Sequence, residues 1–389
     1  MNDSLSFSSL RYKQSALAYI LMNAFYYMSY ALFSGLISIY LLDQGYHASQ
    51  ISIVIASSYI LSVITQPIIG KLNDHYQPLH INSILFVLAI MGSIFFMISH
   101  HLWSLTLTYS FVLCVLNGTN PIIEKMTAST PHKYGWIRIW GTIGYAVGFQ
   151  GAGLLYKYVS HGAMYAFFGF ALVMTIIGLL GTASPDVPES NQETSGKTFF
   201  SHNFLLYLLI ACFFYGITNV NHLYLPAMYQ SEGLSVDLTS MIIFFSTLAE
   251  IPMLLFFTPV VNRWSNKSLL YFCSLGLILQ LLFYVFCPIV FIQSIVTIVT
   301  KTVATIAFML LNMKIVSTLV DEVHQMSALS FVAAMKSFSS IVFQFLSGYL
   351  IDLFSYHTFY LFLLIFSIIG LLPIIFSHFP SGKKVHLYH

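Results

Sequence analysis

The sequence predicts an all-α polytopic membrane protein, with about twelve transmembrane helices in two pseudo-symmetric six-helix bundles. Three observations predict it. Of 389 residues, 58% are hydrophobic and only 7% are charged, and the mean hydropathy is +0.81. Soluble domains carry about 25% charged residues, so this composition cannot make a surface that faces water throughout. Apolar stretches near the roughly 20 residues that a spanning helix needs recur along the chain. One connector, "ASPDVPESNQETSGKTFFSH", is polar, contains proline and falls at the middle.

Taken in order, the spans lie near 14–41, 49–70, 80–99, 103–124, 138–158, 162–182, 203–229, 238–261, 268–287, 289–317, 327–351 and 358–379. The first follows a polar start, "MNDSLSFSSLRYKQ", which lacks the short apolar region and small-residue cleavage site of a signal peptide. The turns "DQGYHASQ", "NDHYQP" and "NRWSNKS" punctuate the next ones. The central connector divides the chain into an N-terminal bundle, 1–183, a cytoplasmic linker, 184–201, and a C-terminal bundle, 202–389, that ends in a short cytoplasmic tail.

An even number of spans puts both termini on one side. With that side cytoplasmic, Arg11, Lys13, Lys71, Lys125, Lys133, Arg138, Lys197, Arg263, Lys267, Lys383 and Lys384 fall in or beside inner segments. Lys157 alone lies beside an outer loop, and Lys301, Lys314 and Lys336 fall within spans. Basic residues favour the cytoplasmic face, so the expected placement is the cell membrane with both termini inside. The halves also echo one another. "TQPIIGK" and "FTPVVNR" place Pro67 and Pro259 192 residues apart, and "FQGAG" and "FQFLSG" place Phe149 and Phe343 194 apart. Parallel repeats about the membrane normal are the pattern of major facilitator transporters.

Several function classes are disfavoured. The net charge of +2 gives no nucleic-acid signature. Cys114, Cys212, Cys273 and Cys287 lie in apolar runs with no CxxC and read as core residues. No metal, nucleophile or phosphate-loop motif supports a membrane enzyme or sensor, and His100–His101 reads as a solvated loop pair.

The polar residues within spans carry the functional reading. An ionisable group there costs at least about 2.5–3.5 kcal/mol, so it is expected to face a cavity or a partner. At helical spacing, Asn23, Tyr26, Tyr27, Tyr30 and Ser34 share a face of the first helix, and Asn117, Asn120 and Glu124 one of the fourth. Tyr215, Asn219 and His222 align on the seventh, Lys301, Thr305 and Asn312 on the tenth, and Lys336, Ser340 and Ser347 on the eleventh; Glu250 precedes Pro252 on the eighth. Five such stripes imply one shared aqueous cavity. The structural alternatives are an inert Glu250–Lys336 ion pair, interhelical bonding by Asn219 and His222, and a Lys314 that snorkels to the inner surface. Gly141, Gly144, Gly148 and Gly151 form a smooth face for close helix packing.

The stretch "IEKMTASTPHKYGWIRIWGTIGYA" resembles the fourth-to-fifth helix connection of the lactose permease and oligosaccharide–proton symporter group, which includes nucleoside and phenylpropionate permease relatives. Glu124, Lys125, Tyr134, Gly135, Arg138, Gly141, Gly144 and Tyr145 carry the pattern. "SIVIASSYILSVITQPIIGKLNDHY", through Gln66, Pro67, Gly70, Leu72 and Asp74, and "TLAEIPM", with Glu250, are similar to the group's second and eighth helices. The resemblance implies that Arg138 binds substrate hydroxyls, that Tyr145 stacks on a ring, and that Glu250 couples substrate to proton movement. It assigns Gly70, Asp74 and Glu124 to conformational change. The departures are Asn120 in place of the arginine's acidic partner, Gln280 for a ninth-helix arginine, and Ala304 and Ala307 for the tenth-helix histidine and glutamate that follow the shared Lys301–Thr302. An Arg138 without its carboxylate makes the site more positive and favours a carboxylate-bearing solute.

The expected function is alternating-access transport with proton-coupled uptake of a small polar organic solute such as a sugar, glycoside or organic acid. Substrate is expected at Arg138, Asn120, Tyr145, Asn23, Tyr26, Tyr30, Asn219, His222, Glu250 and Lys336, with Glu250, then His222, as proton site. The partners are the solute, the proton and the lipid bilayer. The chain is expected to act as a monomer with no cofactor beyond the proton gradient and no metal. The alternative is proton-driven export of drug-like or amphipathic compounds, for which 35 Phe and 15 Met could line a greasy pocket.

Overall fold

The computed structural model describes residues 12–182, 201–320, 325–377 and 379, apart from the side chains of Asp74, Thr258, Ala304 and residues 325–327. Residues 184–200 of the linker therefore lie outside the described residues. Among the described residues twelve long helices follow in order, with a short one, Thr258–Arg263, between the eighth and ninth: α1 (Ala16–Asp43), α2 (Ala48–His75), α3 (Pro78–Ile98), α4 (Leu102–Ala128), α5 (Tyr134–Tyr158), α6 (His161–Leu180), α7 (His202–Ser231), α8 (Val236–Phe256), α9 (Asn266–Phe286), α10 (Val290–Leu319), α11 (Gln325–Leu353) and α12 (Tyr356–Phe376). Eleven are long and apolar enough to cross a membrane. The other is α5, whose 25 residues are diluted by glycines, tryptophans, Arg138 and Lys157.

Local chemistry sets the helix starts. Ser15, Ser160, Ser201, Ser265 and Ser355 each cap a helix by accepting a backbone N–H. His47 and Gln50 form a capping box at α2, and Pro78 opens α3, where its missing N–H costs nothing. The expected fifth span begins too late. The helix starts at Tyr134, so Arg138 sits inside its second turn rather than at its mouth.

Four helices are interrupted among the described residues, one of them α12, at Gly370 between Ile369 and Leu371. In α1 the α-helix stops at Ser34 and resumes at Ile37. In α8 it breaks at Ala249, where Pro252 withholds the N–H that Leu248 O would accept. In α10 a π-helical turn covers Val303–Ala307. Such turns are rare and often mark functional sites.

Two cores form. One joins Tyr19, Phe33, Phe96, Tyr109, Phe149 and Phe168 within α1–α6; the other joins Tyr207, Phe214, Tyr284, Phe308 and Tyr360 within α7–α12. The glycine face of α5 packs on α1 as expected. A Cβ on Gly144 would strike Ala24 O, one on Gly148 would lie 2.6 Å from Met28 O, and one on Gly141 2.7 Å from the Tyr27 ring. Gly151 does not share in this contact; the space around it is open, and Gly153 meets Ser240 of α8 instead. Cys114 and Cys273 are buried, Cys212 and Cys287 half-buried, and all are free thiols.

Among the described residues, hydrogen bonds between the halves cluster toward one end of the bundle, where α1 finishes and α2 begins. Asp352 at the end of α11 accepts from Ala48 N at 2.7 Å and Ser49 N at 2.8 Å, capping α2. Ser52 bonds Gln344 O at 2.8 Å and Tyr224 Oη at 2.7 Å. Ser38 donates to Leu223 O at 2.8 Å, and Lys157 pairs with Asp237 at 2.7 Å. A Cβ on Gly348 would stand 2.6 Å from Ala48 O, so α2 and α11 touch backbone to backbone. This is the sealed end.

Candidate functional site

The chemistry lies between the halves, on the side of the middle away from the sealed end. Arg138 Nε meets Glu124 Oε1 at 2.9 Å. Tyr27 donates to the same oxygen at 2.5 Å, Tyr134 Oη donates to Oε2 at 3.1 Å, and the guanidinium lies 4.6 Å from the Tyr27 ring centroid. Arginine suits this cradle because a planar guanidinium can stack on an aromatic face while its N–H groups hold a carboxylate. Both side chains keep some exposure, 23% for Arg138 and 29% for Glu124.

Here the structure corrects the sequence reading. Arg138 does have an acidic partner, and it is Glu124 rather than the position of Asn120. The α4–α5 connection explains why. Glu124 is the fifth residue back from the end of α4 and Arg138 the fifth into α5, so the two antiparallel helices bring them level. Asn120, one turn deeper on α4, is half-buried and has no described hydrogen bond.

Asn23 and Tyr26 do not line the space between the halves. Asn23 is fully buried and bonds Tyr19 O at 3.0 Å and Thr127 at 2.9 Å. Tyr26 is also fully buried; it donates to Leu116 O and packs 5.9 Å from Phe86. Five positions spaced along one helix cover a broad arc, and this edge of it turns to α4. Tyr30 donates to Asn117 Oδ1 at 3.1 Å, and Asn117 donates to Ser62 of α2 at 3.0 Å. Ser34 and Ser347 bond their own helix backbones.

The C-terminal half contributes Glu250, Lys301, Lys336, Asn219 and His222. Glu250 sits at the α8 break and accepts from Thr305 at 3.2 Å, inside the π-helical turn of α10. It lies within electrostatic range of Lys301 and of Arg138 across the interface. Lys301 is buried and donates to Ser246 Oγ at 3.2 Å and Thr247 Oγ1 at 3.1 Å. The inert Glu250–Lys336 ion pair is not formed. Lys336 lies over the Tyr215 ring, 5.3 Å from its centroid, and remains exposed halfway along α11. Asn219 donates to Ser340 at 2.6 Å. His222 Nε2 and Tyr145 Oη lie 2.8 Å apart, a bond between the halves, and His222 is within electrostatic range of Lys301 and Lys336.

Other expectations change. Lys314 does not snorkel. It is buried and donates to Val261 O at 2.6 Å and Trp264 O at 2.7 Å, satisfying carbonyls at the end of the short helix Thr258–Arg263. Gln280 bonds Tyr284 within the C-terminal core. Gly70 has open space around it, and the side chain of Asp74 lies outside the described residues. Tyr27 and Tyr215, which sequence reasoning placed on stripes but not in the site, hold Arg138 and Lys336. Their spacing from Tyr30 and Asn219 was the available signal. Among the described residues no cluster of His, Cys, Asp and Glu is suited to a metal ion.

Residues 19–379 match the model of the MFS_1 like family. The chain belongs to that family. It is 22% identical over 348 residues, 86% of each chain, to the uncharacterized transporter YwbF of Bacillus subtilis (strain 168). Its fold is similar to that of the nucleoside transporter NupG, with a TM-score of 0.78 at 15% identity over 92% of this chain and 98% of that one. A point mutant of NupG gives 0.77 at 14% identity, over 95% and 100%. The chain is therefore a multi-pass membrane transporter of the major facilitator fold, not an enzyme.

Proposed function

We propose that the protein takes up a small polar organic solute together with a proton, by alternating access of a chamber between its two halves. The observation that supports this is an Arg138–Glu124 pair in one half within electrostatic range of Glu250, beside Lys301, in the other, while the described hydrogen bonds between the halves gather toward one end. Charges in a bilayer-spanning region are expensive and typically serve a transported species. Arg138 and Asn120 offer donors to solute oxygens, and Tyr145 an aromatic face.

Glu250 is the proposed proton site. It stands at a helix break, facing a π-turn, where small backbone shifts change its partners. Proton loading there would weaken its attraction to Lys301 and Arg138 and so alter the grip between the halves. With both termini cytoplasmic, as the distribution of basic residues favours, the sealed end is the outer one. The chain acts as a monomer in this reading. The solute class is a sugar, glycoside or organic acid, and the likeness to NupG adds nucleosides to the panel worth assaying.

The test is uptake into proteoliposomes under an imposed pH gradient, with acid outside. The solute should accumulate above its external concentration, and a protonophore should abolish this. Downhill equilibration unaffected by the gradient would refute proton coupling, and loss of preloaded solute would indicate export.

A further inference from the structure

The charges brought together between the halves do not cancel. Arg138 is met by Glu124 at 2.9 Å. Lys301 is met by two hydroxyls and by Glu250 within electrostatic range. Lys336 has no carboxylate within ion-pair distance among the described residues, and its ammonium lies 5.3 Å from the centroid of the Tyr215 ring. A ring face is a weak substitute for a counter-ion. Among these described groups, three cations stand against two anions, and the cation left without a carboxylate is Lys336.

This ammonium is also accessible. Lys336 is exposed although it lies mid-helix, so an occupant can reach it. Beside it, Asn219 of α7 bonds Ser340, one turn along α11 from Lys336, and His222 lies within its electrostatic range. Tyr215, Asn219 and His222 follow one face of α7, so the cation is bordered by groups that can donate or accept hydrogen bonds.

We propose that Lys336, with Tyr215 and Asn219, forms a subsite for a single negative charge, so that the transported solute is an organic monoanion bound through its carboxylate. The inference rests on the transporter reading and narrows its solute class. One surplus charge matches a carboxylate rather than a doubly charged phosphate. The Arg138–Glu124 pair, already neutral, is left to hold the polar remainder. The solute supplies the counter-charge that the protein lacks, so an empty chamber carries a cost that binding removes.

The experiment uses the full-length protein in lipid nanodiscs, in one chloride buffer throughout so that inorganic anion is constant. Thermal unfolding is followed with matched pairs: glucuronate and glucose, benzoate and benzamide, orotate and uridine. A ligand that binds only the folded state raises Tm. At least one acid should raise Tm while its neutral mate does not. Lys336→Gln should weaken that acid roughly ten- to a hundred-fold, as expected for losing a charge-assisted contact. Its ligand-free Tm should be no lower than that of the unmodified protein, and Lys336→Arg should restore part of the response. A neutral member that raises Tm as much as the acid, or an acid response unchanged in Lys336→Gln, overturns the subsite. If proteoliposomes carry that neutral compound, the transporter reading stands and only the anion inference falls. If no member binds or is carried, both fall.

Discussion

Tyr145 of α5 and His222 of α7 are joined at 2.8 Å across the two halves, one residue from the Ser38–Leu223 bond of the sealed end. His222 lies on the seventh-helix stripe and Tyr145 is the ring the resemblance assigns to solute, and here each occupies the other. The pair must part if the sealed end is to open. Tyr145→Phe keeps the ring and removes the hydroxyl. A net hydrogen bond is worth about 1 kcal/mol, or about five-fold in an equilibrium between states. We expect spin labels on the sealed ends of α2 and α11 to show a larger separated population in this variant. An unchanged distance distribution would deny the pair a role in holding the closure.

Glu250→Gln should abolish accumulation driven by a pH gradient while sparing exchange of labelled for unlabelled solute. Gln keeps the size and can still accept from Thr305, but it carries no titratable proton. Retained uphill uptake removes Glu250 from the coupling step.

Arg138 and Glu124 should behave as a unit. Removing one partner of a largely buried ion pair leaves the other charge uncompensated, at a cost of about 3–5 kcal/mol when fully buried and less here, where both remain partly exposed. Arg138→Gln should therefore lower Tm more than the double variant Arg138→Gln/Glu124→Gln. Additive losses in the double-mutant cycle would contradict the pairing.

Asp352 and Lys157 offer a contrast at the sealed end. Asp352 accepts two backbone N–H groups at the start of α2, and loss of a cap costs about 0.5–2 kcal/mol. Asp352→Ala should speed hydrogen exchange over residues 46–52. Lys157→Ala, which removes an exposed ion pair, should leave that segment unchanged. Equal effects would mean that the cap does not hold the seal.

Gly144 and Gly151 separate packing from helix propensity. A Cβ at Gly144 meets the Ala24 backbone, so Gly144→Ala should destabilise by about 1–3 kcal/mol, the usual range for overpacking. Gly151 has open space, and Gly151→Ala should be neutral or gain up to about 0.5–1 kcal/mol. Thermal unfolding of the two variants in the same detergent distinguishes them.

The sequence by itself determined the helices, their approximate ends and the stripes that carry Asn219, Lys301 and Lys336, and it singled out Glu250 before Pro252 and Arg138 at the start of the fifth span. Low charge and recurrent apolar length fix spans through the cost of exposing backbone to lipid, and helical spacing fixes which residues share a face. Only the tertiary structure decided what each face meets. Spacing leaves open how far a helix is rotated about its own axis, so Asn23 and Tyr26 could be placed on a stripe but not assigned to the interior of one half. It cannot match partners across turns or halves either, because Glu124 with Arg138, and Tyr145 with His222, are brought together by packing between helices. The unanswered charge of Lys336 is likewise a property of the assembled bundle, since a charge is unpaired only with respect to everything packed around it.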